Sequence, residues 1–120
     1  VVRHLWRLYG GWYDWNPSHL QPAPDAALAA ELAALAGGAG ALANRAAKLA
    51  GDGELRLAGH LAEFAALAAP DDPGVLGVRR DVNLARLETE RSLMAQGIYR
   101  WAVNESADRI AAIEQQDGDD

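Results

Sequence analysis

Residues 39–70 read AGALANRAAKLAGDGELRLAGHLAEFAALAAP, and this stretch decides the fold. Leu42, Ala46 and Leu49 recur at helical spacing over 39–50, and Gly51-Asp52-Gly53 interrupts the run. A second run over 54–69 carries Leu57, Leu61, Phe64 and Ala68 on one stripe and stops at Pro70. Apolar residues three and four apart share one face of a helix, and a glycine-rich break followed by a second such run specifies an antiparallel hairpin. Ala46, Gly53, Ala58, Ala65 and Pro70 are spaced like the small-residue and proline positions of a tetratricopeptide repeat. Small side chains there let two helices approach closely. The next window of the same frame puts Arg80 and Ser92 at small-residue positions, so the repeat does not propagate. One unit supports a helical hairpin, not a solenoid.

Working outward, the same periodicity continues on both sides. Towards the N-terminus, Asp25 follows Pro24 where an acidic residue favours a helix start, Leu28, Leu32 and Leu35 follow on one predicted face, and Gly37-Gly38 ends the run. Before it, Val2, Leu5, Trp6, Tyr9 and Tyr13 form an amphipathic pattern with Arg3, His4 and Arg7 opposite, ending near 10–14. Asn16-Pro17 and Gln21-Pro22-Ala23-Pro24 read as turn and extended linker, because proline disfavours helical backbone in the residue before it. Towards the C-terminus, Asp71-Asp72-Pro73 opens a helix over about 74–87, followed by another over 88–104. Gly97 inside that last pattern predicts close packing or a kink. Alanine (26) and leucine (16) dominate and β-branched residues are scarce, so the expected fold is all-α, a bundle of five to six helices. Residues 1–104 form one domain with 1–24 as an aromatic lead-in helix and linker; 105–120 read as a polar acidic tail, partly disordered.

Bulk properties exclude several functions. Net charge is −6 and the pI is near 4.9, with no basic stripe of the kind that displaces counterions from phosphates, so no nucleic-acid partner is expected. Cysteine is absent, which rules out disulfides, thiolate metal sites and cysteine nucleophiles. No apolar run reaches the length of a membrane span, and the first ten residues lack a signal-peptide layout. The chain starts with Val and not Met, and reads as a fragment of a longer polypeptide. Arginine carries nearly all the positive charge, with Lys48 the single lysine, a usage typical of a GC-rich bacterial genome. A cytoplasmic location is the expectation, with periplasm and secretion left open.

The densest concentration of chemistry is Gly10-Gly11-Trp12-Tyr13-Asp14-Trp15-Asn16-Pro17. Two readings of it stay open: Tyr13 and Asp14 project towards a neighbouring domain, or Trp12 and Tyr13 seal the first helix to the core while Asp14 caps a turn. His60 and Glu63 share a helical face and could hold a metal with outside help, although a lone pair at that spacing is ordinarily a surface hydrogen bond. Arg79-Arg80-Asp81 and Glu88, Glu90 and Arg91 read as solvated faces or interface ion pairs, which contribute little. Tyr99 and Trp101 either close the core or anchor an interface. No nucleophile with its base, phosphate-binding glycine loop or paired-carboxylate site is present.

The order of these features resembles the dimerisation domain of metallo-β-lactamase-fold alkyl sulfatases. That family has a helix leading into Gly-Trp-Phe/Tyr-Asp-Gly-Asn-Pro, then a Leu and prolines, a tetratricopeptide-like hairpin ending in Ala-Asp-Pro, and a last helical pair. The matching residues are Gly11, Trp12, Tyr13, Asp14, Asn16 and Pro17, then Leu20 and Pro22, the hairpin 42–73, and 90–101. Trp15 stands where the family pattern has glycine. The resemblance implies a non-catalytic chain that forms a homodimer beside a metallo-β-lactamase-fold domain, within a zinc-dependent sulfuric ester hydrolase. The zinc belongs to that parent domain, whose signature is His-x-His-x-Asp-His. His4, His19 and His60 lie far apart, so no metal site and no catalytic residue is expected here, Tyr13 being a weak candidate to reach across to the neighbour. The alternatives are a tetratricopeptide-like module that binds a protein or an amphiphile, and an enzyme acting through Tyr13, Asp14 and His19.

Overall fold

The structure, a computed structural model, describes residues 23–119. The predicted lead-in helix and the whole 11–17 motif lie outside the described residues. Five helices follow in order: α1 (Asp25–Ala36), α2 (Ala39–Gly51), α3 (Leu55–Ala68), α4 (Pro73–Thr89) and α5 (Leu93–Asp119). The described chain is all-α, as the composition predicts.

Each helix ends where the sequence provides a stop. Gly37 takes the left-handed conformation (φ 99°) at the end of α1, and Gly38 N–H donates to the Ala33 carbonyl at 2.7 Å, a Schellman closure that glycine adopts without strain. The axis then turns by 85° into α2. Gly53 (φ 87°) makes the corresponding turn between α2 and α3, where Glu54 N–H donates to the Leu49 carbonyl. Pro70 ends the hairpin. Asp72 then caps α4: its Oδ1 accepts from the N–H groups of Gly74 (2.9 Å) and Val75 (3.3 Å), with Pro73 at the first helical position, where its missing N–H costs nothing. Glu90 breaks α4 from α5, accepting from the N–H groups of Arg91 and Ser92 through Oε1. The break therefore falls at 90–92, after the predicted helix start at Glu88.

The core is built largely from alanine. Ala33, Leu42, Ala43, Ala65, Ala66, Val75 and Leu76 form one buried cluster, flanked by Leu61, Phe64, Ile110 and Ile113. Ala46, Ala58, Ala62 and Val82 form a second, flanked by Leu49 and Val78. The hairpin positions Ala46, Ala58 and Ala65 are fully buried, so the small residues do set the α2–α3 contact. The predicted leucine stripes fare differently. Leu28 and Leu35 of α1 and Leu57 of α3 are exposed, while Ala29, Ala33, Ala58 and Ala62 take the buried places. Closely spaced helix axes leave no room for a leucine between them.

The C-terminal segment also departs from expectation. α5 does not end near Asn104 but continues through Asp119, so 105–119 is helical and not a disordered tail. Its inner face explains this, since Ser106 is buried and Ile110 and Ile113 pack on the main cluster. Gly97 is exposed, with nothing within 4 Å of where a Cβ would stand, so it marks no close helix contact. The close approach falls instead at Gly59, where a Cβ would run into the Arg86 guanidinium.

Candidate functional site

α5 presents two different faces. Ala102 and Ser106 point into the bundle, whereas Leu93, Met94, Ile98 and Trp101 are exposed at 83, 80, 59 and 59%. Met94, Ile98 and Trp101 are four and then three residues apart, so they line one stripe along the first turns of the helix. Single exposed apolar side chains are unremarkable, but three large ones on one stripe, with Leu93 beside Met94 in the first turn, make an exposed apolar patch. Trp101 thus faces outward and does not close the core.

Beside this stripe lies a charged cluster that holds α5 in place. Arg79 of α4 is 4% exposed, contrary to the reading of Arg79-Arg80-Asp81 as a solvated face. Its Nε donates to Glu63 Oε2 at 2.8 Å, its Nη2 to Glu63 Oε1 at 3.4 Å, and its Nη1 to Glu105 Oε1 at 3.0 Å and Ser106 Oγ at 2.9 Å. The Trp101 ring lies 5.8 Å from the guanidinium carbon. Burial disfavours the Arg79 charge, but the hydrogen bond and charge of Glu63, followed by those of Glu105, outweigh it and hold the guanidinium above its ordinary pKa. Arg109 extends the cluster, donating to Glu105 Oε1 at 3.1 Å and to the Pro70 carbonyl at 2.7 Å. Three helices, α3, α4 and α5, are clamped together by one planar fork. Arg80 and Asp81 do pair on the surface, at 3.0 Å.

The structure separates the two aromatic candidates. Tyr99 and Trp101 sit about 200° apart around the helix, and Tyr99 is half-buried under Arg86, whose guanidinium carbon lies 4.6 Å from the ring centroid. Only Trp101 belongs to the exposed stripe. His60 is exposed, and both carboxylate oxygens of Glu63 face Arg79, so this pair does not fit a metal. Among the described residues no three His, Asp or Glu side chains converge on a possible metal position. Gly11, Trp12, Tyr13, Asp14, Asn16, Pro17 and His19 lie outside the described residues. Arg79 was missed in the sequence for a plain reason. Its burial depends on Glu63 and Glu105 arriving from two other helices, and no local pattern announces that.

The sequence model of the family described as "Alkyl sulfatase dimerisation" matches residues 1–109, and the chain belongs to that family. No curated protein and no solved structure matches the chain. Membership supports a dimerisation role. Among the described residues no single helix is long and apolar enough to cross a membrane.

Proposed function

We propose that the chain is the non-catalytic homodimerisation domain of a zinc-dependent alkyl sulfatase-type hydrolase, and that a twofold mate covers the stripe Met94, Ile98 and Trp101 together with the neighbouring Leu93. The exposure of that stripe in a member of a dimerisation family carries the reading. In a twofold dimer the same patch meets itself, so a self-complementary apolar strip is sufficient. Four side chains of this size offer roughly 500 Å² per protomer, the greater part of the ~800 Å² per partner that a stable interface needs. The Arg79 clamp fixes the helix that carries them, which lowers the entropy lost on association. The aromatic motif 11–17 then serves as the junction to the metallo-β-lactamase-fold neighbour, with Tyr13 closest to its chemistry. A His-x-His-x-Asp-His motif in the adjoining upstream coding sequence is the expected observation for that parent.

The dimer itself is tested by light scattering at roughly tens of micromolar protein, where an interface of standard size is occupied. The wild-type chain is expected at twice its monomer mass, and Met94→Asp/Ile98→Asp at monomer mass with unchanged helicity by circular dichroism. A monomeric wild type that takes up an alkyl chain would favour the amphiphile-binding alternative. A double variant that remains dimeric would remove the stripe from the seam.

A further inference from the structure

On the opposite flank of α5 from the apolar stripe, Arg86 of α4 is held between two surfaces. Its guanidinium lies over the Tyr99 ring at 4.6 Å, and on its other side it approaches α3 where Gly59 has no side chain. Two clefts open at this point, one of about 380 Å³ bordered by Arg56, His60 and Asn83, the other of about 320 Å³ bordered by Leu55, Thr89 and Tyr99. Arg56 and Arg86 line both. Each acidic group at the rims makes hydrogen bonds away from the two arginines. Glu63 turns both oxygens to Arg79, and Glu90 Oε1 accepts from the N–H groups of Arg91 and Ser92. Among the described residues no carboxylate lies within ion-pair distance of Arg56 or Arg86.

We propose that this junction of α3, α4 and α5 is a binding site for an oxyanion, a carboxylate or a tetrahedral phosphate or sulfate group borne by a small molecule. A guanidinium stacked on an aromatic ring keeps its in-plane N–H edge free, and that edge matches two oxygens of an oxyanion. Stacking and the glycine contact fix the plane in advance, so little side-chain freedom is lost on binding. Arg56 adds a second positive charge, and the Asn83 side-chain amide, anchored by donation to the Arg79 carbonyl at 2.8 Å, borders the same cleft. The clefts exceed the volume of a free phosphate or acetate, leaving room for an organic body behind the anionic group. Chain net charge is −6, which makes a site with two arginines unpaired among the described residues a local exception to the molecule's field.

Gly59 supplies the sharpest test. In Gly59→Ala the new methyl takes the space of the Arg86 Nη1 group; the end of a flexible side chain swings away and the helix is preserved. Titration of the 120-residue chain with inorganic phosphate, and separately with acetate, is followed by the backbone amide resonances of Asn83 and Tyr99 at the clefts, which every variant retains, with chloride at equal ionic strength as reference. Saturable shifts with dissociation constants on the order of millimolar are expected. Weakening of about tenfold or more is expected in Gly59→Ala, Arg86→Gln and Arg56→Gln, the loss that one charge-assisted contact carries. Arg80→Gln, at the exposed Arg80–Asp81 pair, leaves binding unchanged. A response to phosphate alone assigns the tetrahedral class, and a response to acetate alone or to both assigns carboxylates as well. A response no different from chloride, or binding that survives in Arg86→Gln and Gly59→Ala, overturns the proposal.

Discussion

At Arg79 a charged residue behaves as a structural keystone, and its energetics follow from how unequally its partners are buried. Glu63 is 52% exposed and Glu105 is 29% exposed, while Arg79 and Ser106 are buried. Removing Arg79 leaves Glu63 able to rehydrate, so the cost falls short of that of a fully buried pair. Arg79→Met is expected to destabilise by about 2–3 kcal/mol, below the ~3–5 kcal/mol typical of a broken buried pair. Glu63→Gln, at the exposed end, should cost less than about 1 kcal/mol. Urea unfolding of the two variants and their double mutant measures both, and equal losses would contradict this asymmetry. The guanidinium pKa is raised on folding, so the stability it confers is complete below its ordinary value and disappears only as pH rises through the raised one. Its contribution is therefore constant across neutral and moderately alkaline solution.

At the scale of the helix pair, small residues decide the geometry. Ala46, Ala58, Ala62 and Ala65 are fully buried along the α2–α3 contact and its neighbours. Ala62→Leu forces three methylene-sized groups into a filled seam and is expected to cost about 1–3 kcal/mol or more, whereas Leu57→Ser, more than half exposed, should cost under ~1 kcal/mol. Thermal melts of the two variants check the order, which is the reverse of what hydrophobicity alone predicts. The same fact explains what the sequence disclosed. The alanine, glycine and proline spacing of 39–70 revealed the hairpin because close approach requires small residues at fixed positions. The buried face of α1 stayed hidden because DAALAAELAALA is apolar around nearly its whole circumference, so its leucines mark no side. The sequence left Trp101 open between core and interface, and its 59% exposure removes the core reading. The Arg86 cleft was not legible, since Gly59, Arg86 and Tyr99 meet only through the packing of three helices.

For the molecule as a whole, α5 does two jobs at once. At about 1.5 Å per residue its 27 residues span ~40 Å. Its first turns hold the apolar stripe outward, and its later turns anchor the helix to the bundle through Ser106, Arg109, Ile110 and Ile113. In the proposed dimer, association through the first part would depend on docking of the second, because an unanchored stripe would lose its orientation. Polar composition concealed this link: 105–120 reads as an acidic tail, yet Ile110 and Ile113, three positions apart, find the core. A chain ending after Asn104 loses Glu105 and Ser106 from the Arg79 cluster, the Arg109 contact to Pro70 and two core-packed isoleucines. The isoleucines alone stabilise by roughly 1.5 kcal/mol each, so the loss approaches a native domain's total margin of ~5–15 kcal/mol. Among the side chains described, ending the chain after Glu114 removes only exposed ones and should leave both melting temperature and dimer mass unchanged. Comparing the two truncations by calorimetry and light scattering tests the dependence directly. If the shorter chain melts cooperatively near the wild-type temperature and stays dimeric, the later turns of α5 are not what orients the seam.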